Sequence, residues 1–218
     1  MEELKNHIVV SVGCEYACGG AAIGRVIARD LKMAYYDRHI VDQIMEQVGV
    51  SPALLKLADQ GIDISGLRSE PGYAYAPTKY KNLTDRMVYI QKEVIKKLAD
   101  RSSCVIIGRC SDYILRHRTD TLNVFIYGPA DYRLKNVMHE LHVDETKARS
   151  LLEENDDNLH ARYLQITGTD WGERHNRQML IDSSVLGVEG TARYIEELIL
   201  AFSNKIYTAE GSLETKGE

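Results

Sequence analysis

Residues 7–31 constrain the fold of this chain more than any other stretch. Ile8-Val9-Val10-Ser11-Val12 is a short apolar run, β-branched enough to form a buried strand. It leads straight into Gly13-Cys14-Glu15-Tyr16-Ala17-Cys18-Gly19-Gly20. Over residues 21–31, Ile23, Ile27 and Leu31 recur four apart, while Arg25, Arg29 and Asp30 are spaced as a solvated face. A strand, a glycine loop and an amphipathic helix in succession have the layout of a phosphate-binding loop. The N–H groups at the helix start and the positive end of its dipole form a ready anion site there.

The loop departs from the G-x-x-x-x-G-K-[ST] pattern, in which a lysine serves the β- and γ-phosphates and a hydroxyl serves Mg²⁺. Counting back from Gly19, Gly20 stands at the lysine position, Ala21 at the hydroxyl position and Cys14 at the leading glycine. Glu15 is the only charge between Gly13 and Gly24. On motif evidence alone, a glycine turn joining a core strand to a helix is an equal reading.

A length of 218 residues suits one domain with a real core, and the net charge of -5 gives no basic footprint for a nucleic acid polymer. No apolar run reaches the ~18 residues of a membrane span, and the first residues lack a signal peptide's pattern. A cytoplasmic enzyme-like domain is expected. Four cysteines without C-x-x-C spacing read as reduced thiols.

Further strands are expected at 33–37, 104–107, 122–127 and 179–181. Helices are expected at 39–48, 52–58, 83–99, 111–116, 130–141, 144–166 and 188–202. In the helices at 130–141 and 144–166, Leu134, Val137, Met138 and Leu141, then Ala148, Leu151, Leu152, Leu159 and Tyr163, are expected to face inward. Periodicity fails over 61–81, where Tyr73, Tyr75 and Tyr80 stand among Gly, Ser and Pro; a loop of that length is usually functional or mobile. Residues 203–218 read as a polar, disordered tail.

Over residues 8–202 the chain resembles the cytidylate-kinase-like family of bacterial proteins, relatives of the nucleoside monophosphate kinases. The resemblance rests on Gly19-Gly20-Ala21-Ala22-Ile23-Gly24, Tyr35-Tyr36-Asp37-Arg38 and Val105-Ile106-Ile107-Gly108-Arg109, in that order. Val124-Phe125-Ile126-Tyr127-Gly128-Pro129 with Arg133, and Thr167-Gly168-Thr169-Asp170-Trp171-Gly172, complete it. It implies an α/β fold, the P-loop NTPase three-layer sandwich with a central parallel sheet. It also implies a helical acceptor-binding insertion at 51–82 and a helical lid at 142–176, within a single domain over 1–203. The implied chemistry is phosphorylation of CMP or a related nucleotide with ATP and Mg²⁺, with small-molecule nucleotides as partners and the oligomeric state left open.

By the same resemblance Gly13, Cys18, Gly19, Gly20, Ala21 and Ala22 cradle the ATP phosphates, and Arg109 binds the acceptor monophosphate with Arg38, Asp112 and Asp156 around it. Arg133 faces the donor nucleotide. Asp37 lies beside the loop to orient a Mg²⁺ water or a substrate hydroxyl, though a helix cap is an equal reading of its position. Asp112 equally reads as a cap, and Arg133 as the partner of a nearby carboxylate. The family's lid has an Asp followed three residues on by an Arg; here Asp156 is followed by Leu159, and Arg162 or His160 can stand in. Arg177-Gln178 replace the family's Tyr-Asp pair, and Cys14 replaces an arginine carried by many members.

The first functional reading is a nucleoside monophosphate kinase. The second is a nucleotide- or phosphate-binding relative without transfer, in which Gly20→Lys is expected to strengthen ATP binding if the loop geometry survives. A third has Cys14, Cys18 and Cys110 converging for redox or metal chemistry.

Overall fold

A computed structural model describes residues 4–60 and 82–214, apart from the side chains of residue 59 and residues 206–214. The strands are β1 (Val9–Cys14), β2 (Ala34–Tyr36), β3 (Cys104–Ile107), β4 (Thr121–Tyr127) and β5 (Met179–Asp182). Helices separate every pair consecutive in sequence, so the strands run parallel in one sheet of order β2-β3-β1-β4-β5. The chain leaves β1 toward β2 on one side, and leaves β3 toward β4 on the other. The connections that leave the carboxyl ends of β1 and β3 therefore diverge, which is where an open parallel sheet forms a crevice.

A continuous apolar strand is dictated by burial on both faces. Val9, Cys104 and Ile106 pack under α2 (Arg38–Gln47), α3 (Pro52–Asp59) and α4 (Leu83–Arg101). On the opposite face Val10, Val12, Val105, Ile107, Val124 and Ile126 meet Ile23 and Ile27 of α1 (Gly20–Asp30), and Ala192, Ile195 and Ile199 of α8 (Ser183–Glu214). Each fully buried Val, Ile or Leu contributes roughly 1.5–3 kcal/mol, so these two layers dominate the stability. Gly24 allows α1 to lie close on β3, since a Cβ there would sit 2.5 Å from Ile107 Cδ1. The short α5 (Ser111–Ile114) follows β3, and α6 (Ala130–Leu141) and α7 (Glu145–Thr167) form a hairpin with its own small core of Leu134, Val137, Ala148 and Leu152.

Several expectations change. Leu141 and Leu159 are 48 % and 36 % exposed rather than inward, because Leu134, Val137, Ala148 and Leu152 already fill the interface between α6 and α7. The closing helix starts at Ser183, breaks at Gly187 (φ 63°, ψ -172°) and runs to Glu214, so residues 203–214 are helical. Ser203 is buried, accepting from Lys5 N–H at its hydroxyl (3.2 Å) and from Asn6 Nδ2 at its carbonyl (3.0 Å). Those bonds tie the closing helix at Ser203 to the segment before β1. Tyr73, Tyr75 and Tyr80, with most of the expected insertion, lie outside the described residues.

Candidate functional site

The loop after β1 turns through Ala17 (φ 60°) and Gly19 (φ 83°) before α1 begins. Glu15 N–H donates to Ile126 C=O (3.0 Å), Ser183 Oγ donates to Cys18 C=O (2.7 Å), and Asn136 Nδ2 donates to Ala17 C=O (2.9 Å). The first helical bond of α1 is Ile23 N–H to Gly19 C=O (2.9 Å), which leaves the N–H groups of Ala21 and Ala22 directed along the axis at the crevice. Gly20 N–H instead points at the Cys18 sulfur. Gly20 itself has no room for a side chain: a Cβ there would lie 2.6 Å from both Cβ and Sγ of Cys14. The exchange Gly20→Lys therefore collides with Cys14, so the surviving loop geometry on which the expected gain in ATP binding depends is not met by that exchange alone.

Facing the loop, β3 ends in three consecutive left-handed residues, Gly108 (φ 66°), Arg109 (φ 55°) and Cys110 (φ 55°). Such backbone costs on the order of 1–3 kcal/mol per non-glycine residue and persists only where its surroundings enforce it. Here Gly108 N–H donates to Val12 C=O (2.8 Å) and Gln91 Nε2 donates to Arg109 C=O (2.8 Å). The turn brings Ser111 Oγ to 2.6 Å from Ser11 Oγ, and directs the buried Arg109 guanidinium at Asp42 of α2.

Between loop and turn lies a cavity of about 500 Å³. Gly13, Gly19, Gly20, Ala21 and Ala22 form one side; Arg38, Arg109, Asp112 and Arg162 line the remainder. Arg162 reaches in from α7 and donates to Gln91 Oε1 (2.7 Å), so Gln91 holds two arginines of the site through its two amide atoms. Arg38 is exposed, 3.8 Å from Asp42. Asp112 is no cap: its carboxylate accepts from Tyr163 Oη (2.9 Å) and meets Arg177 Nη2 at 3.4 Å. Burial, followed by the charge of Asp112, pushes the Tyr163 phenol well above its ordinary range, so it remains a donor.

Other residues named from the sequence lie elsewhere. The Asp37 carboxylate caps α2 by accepting from Ile40 N–H (3.1 Å) and pairs with Arg25 (3.1 Å); it does not line the cavity. Arg133 and Asp156 pair with each other at 2.6 Å, also off the cavity. Arg133 further meets Glu15 (3.2 Å), whose carboxylate accepts from Gly128 N–H (3.1 Å), while Asp156 accepts from Tyr16 N–H (3.1 Å). This network clasps α7 to the loop and balances the negative charge at Glu15. Cys18 is fully buried beneath the loop, donating to Ile126 C=O (3.4 Å). Cys110 is set among Arg162, Asp112 and Arg109, and burial pushes its thiol up to about 12.

Arg177 was not singled out from sequence, beyond its replacement of a family tyrosine. Its guanidinium is buried in the cavity wall, 4.3 Å from the Phe125 ring and 5.9 Å from that of Tyr163; Trp171 packs edge-on against Phe125 at 5.4 Å. One nitrogen lies 3.8 Å from where a Gly13 Cβ would be, so this cation stands at the entry to the glycine loop.

The residues fit a phosphate chain better than a metal. N–H groups of a helix start face arginines across the cavity, whereas Ala21 carries a methyl where a loop hydroxyl would meet Mg²⁺. No group of three metal-ligating side chains occurs among the described residues.

The family model of the cytidylate kinase-like family matches residues 9–185, from β1 through the start of α8. The chain belongs to the cytidylate kinase-like family. That membership, with its sheet order and glycine loop, makes the fold that of a P-loop kinase and the function kinase-like toward a nucleotide or other small molecule. No curated protein sequence matches the chain. An uncharacterized protein from Eubacterium ventriosum is 21 % identical at a TM-score of 0.68, covering 89 % of this chain and 98 % of its own. Shikimate kinase from Bacteroides thetaiotaomicron is 10 % identical at 0.52, covering 89 % and 99 %. At such identities these likenesses bear on the fold alone. No described helix of this cytidylate kinase-like chain is long and apolar enough to cross a membrane.

Proposed function

We propose that the chain is a nucleoside monophosphate kinase that moves the terminal phosphoryl group of ATP to CMP or a related nucleotide. The observation that carries this reading is a single cavity in which the glycine loop faces Arg38, Arg109, Arg162 and Arg177. Transfer between two phosphates is mainly positioning and charge neutralisation, and this cavity offers both. The loop N–H groups suit the donor phosphates, and Mg²⁺ enters with the nucleotide that carries it. Arg109, fixed by Asp42, suits the acceptor phosphate, for which a guanidinium fork is the matching group. Arg162 and Arg177 supply charge where the migrating group spreads its own. No general base is required, because a monophosphate oxygen is already an anion at neutral pH.

A second reading is supported by Gly20 and Cys14. With the lysine position closed by a thiol, the loop binds phosphates through backbone alone, and a protein that binds nucleotide without transfer would look the same. Titration calorimetry with ATP and CMP tests what the two share. Each nucleotide is expected to bind, and CMP is expected to lose affinity in Arg109→Ala while ATP retains it. Absence of binding by either nucleotide to folded protein contradicts both readings.

A further inference from the structure

Two thiols meet inside the glycine loop. The Sγ of Cys14 lies 2.6 Å, and that of Cys18 3.9 Å, from the one point where a Gly20 Cβ would be, so both sulfurs flank the same spot. Their environments differ. Cys14 is half-buried and lines the cavity, so a small solute reaches it; Cys18 is fully buried behind it. The neighbouring Cys18 thiol is the main influence holding the Cys14 pKa below the ordinary thiol value, against opposing burial and the carboxylates of Glu15 and Asp156. The other two thiols, Cys104 and Cys110, are buried and pushed up to about 12. A half-buried, activated thiol that lines the cavity, backed by a buried partner, is the arrangement of an attacking and a resolving cysteine.

We propose that Cys14 and Cys18 are a reversible dithiol, which a low-molecular-weight disulfide converts to an intraloop disulfide that closes the phosphate site. The Cys14 thiolate attacks one sulfur of the reagent RSSR, forming Cys14–S–S–R and releasing RS⁻. Cys18 then loses its proton and attacks the Cys14 sulfur, expelling the second RS⁻. The protein loses two electrons and two protons, and the reagent leaves as two RSH. Closure draws the Cys18 sulfur away from Ile126 C=O and Gly20 N–H, the two groups that now hold it. The peptide groups of residues 14–20 turn with it, and the cradle is lost. The thiol chemistry is independent of the proposed function; only the effect on phosphate rests on it.

The full chain is incubated with oxidised glutathione, denatured in an alkylating agent and digested. The expected result is loss of two of the four alkylatable thiols, a peptide linked through Cys14 and Cys18, and full reversal by dithiothreitol. Cys14→Ser and Cys18→Ala are each expected to abolish the linkage, while Cys104→Ser retains it, with circular dichroism confirming folding. Four remaining thiols, glutathione left on Cys14, a linkage through Cys110, or a bond between two chains would overturn the dithiol. ATP affinity of the oxidised protein, by calorimetry, is expected to fall about tenfold or more. Unchanged or tighter ATP binding by fully oxidised protein overturns the closure, whereas failure of the reduced protein to bind ATP speaks against the proposed function instead.

Discussion

Cys14 and Gly20 exclude each other's side chains: a Cβ on residue 20 would fall 2.6 Å from Cβ and Sγ of Cys14. A thiol therefore occupies the space in which a lysine stem at position 20 would begin. Gly20→Lys alone is expected to destabilise the protein by about 1–3 kcal/mol, the usual cost of overpacking, without improving ATP affinity. The double exchange Cys14→Gly with Gly20→Lys removes the collision, and is expected to recover that stability and bind ATP more tightly than the native chain. Urea unfolding and calorimetric titration check the two halves.

Arg177 and Asp112 form a buried pair at the cavity wall, with side chains 1 % and 9 % exposed. Arg177→Met is expected to cost about 3 kcal/mol, the lower end for breaking a buried pair, because Tyr163 continues to donate to the carboxylate. Adding Asp112→Asn removes the uncompensated charge and should return part of that loss. Equilibrium unfolding of the two single variants and the double variant measures it.

The bond between Arg133 and Asp156 joins the start of α6 to the middle of α7, and through Tyr16 N–H to the loop. A double-mutant cycle with Arg133→Met and Asp156→Asn is expected to return a coupling energy of about 1–2 kcal/mol. Amide exchange in α7 should quicken in Asp156→Asn.

Much of this was legible in the sequence, because periodicity and glycine placement report burial and turns directly. The succession of β1, loop and α1 follows from residues 7–31, and α6 begins and ends at the expected residues. Arg38, Arg109, Asp112 and Arg162 reach the cavity because strand ends and one face of α7 point there. Asp37 as a helix cap and Arg133 as the partner of a carboxylate are the alternatives the sequence left open, and the structure takes them. Asp156 was out of reach because a sequence shows a charge but not its partner, and its bond to Tyr16 N–H spans 140 residues. Arg177 belongs to an irregular segment with no periodicity to place it; its one signal was a cation where relatives carry tyrosine.

The Cys14 thiol gives a pH signature. The neighbouring Cys18 thiol favours the Cys14 thiolate, so iodoacetamide labelling of Cys14 is expected to reach half its maximal rate at a lower pH than an ordinary thiol does. In Cys18→Ala that influence is gone, the protonated form is favoured, and the midpoint should move up. Labelling rates followed peptide by peptide across pH 6 to 10 check it.

The most direct measurement of the central claim is ADP formation from ATP and Mg²⁺, with CMP, dCMP, UMP and AMP offered separately to the native chain and to Arg109→Ala. Turnover with one acceptor is expected, with a fall of roughly 10²–10³ in rate in the variant, the typical effect of removing one electrostatic contact at a transferring group. Binding of nucleotide by folded native protein without ADP formation from any acceptor would contradict it, and would leave the chain a nucleotide-binding member of the family that does not transfer phosphate.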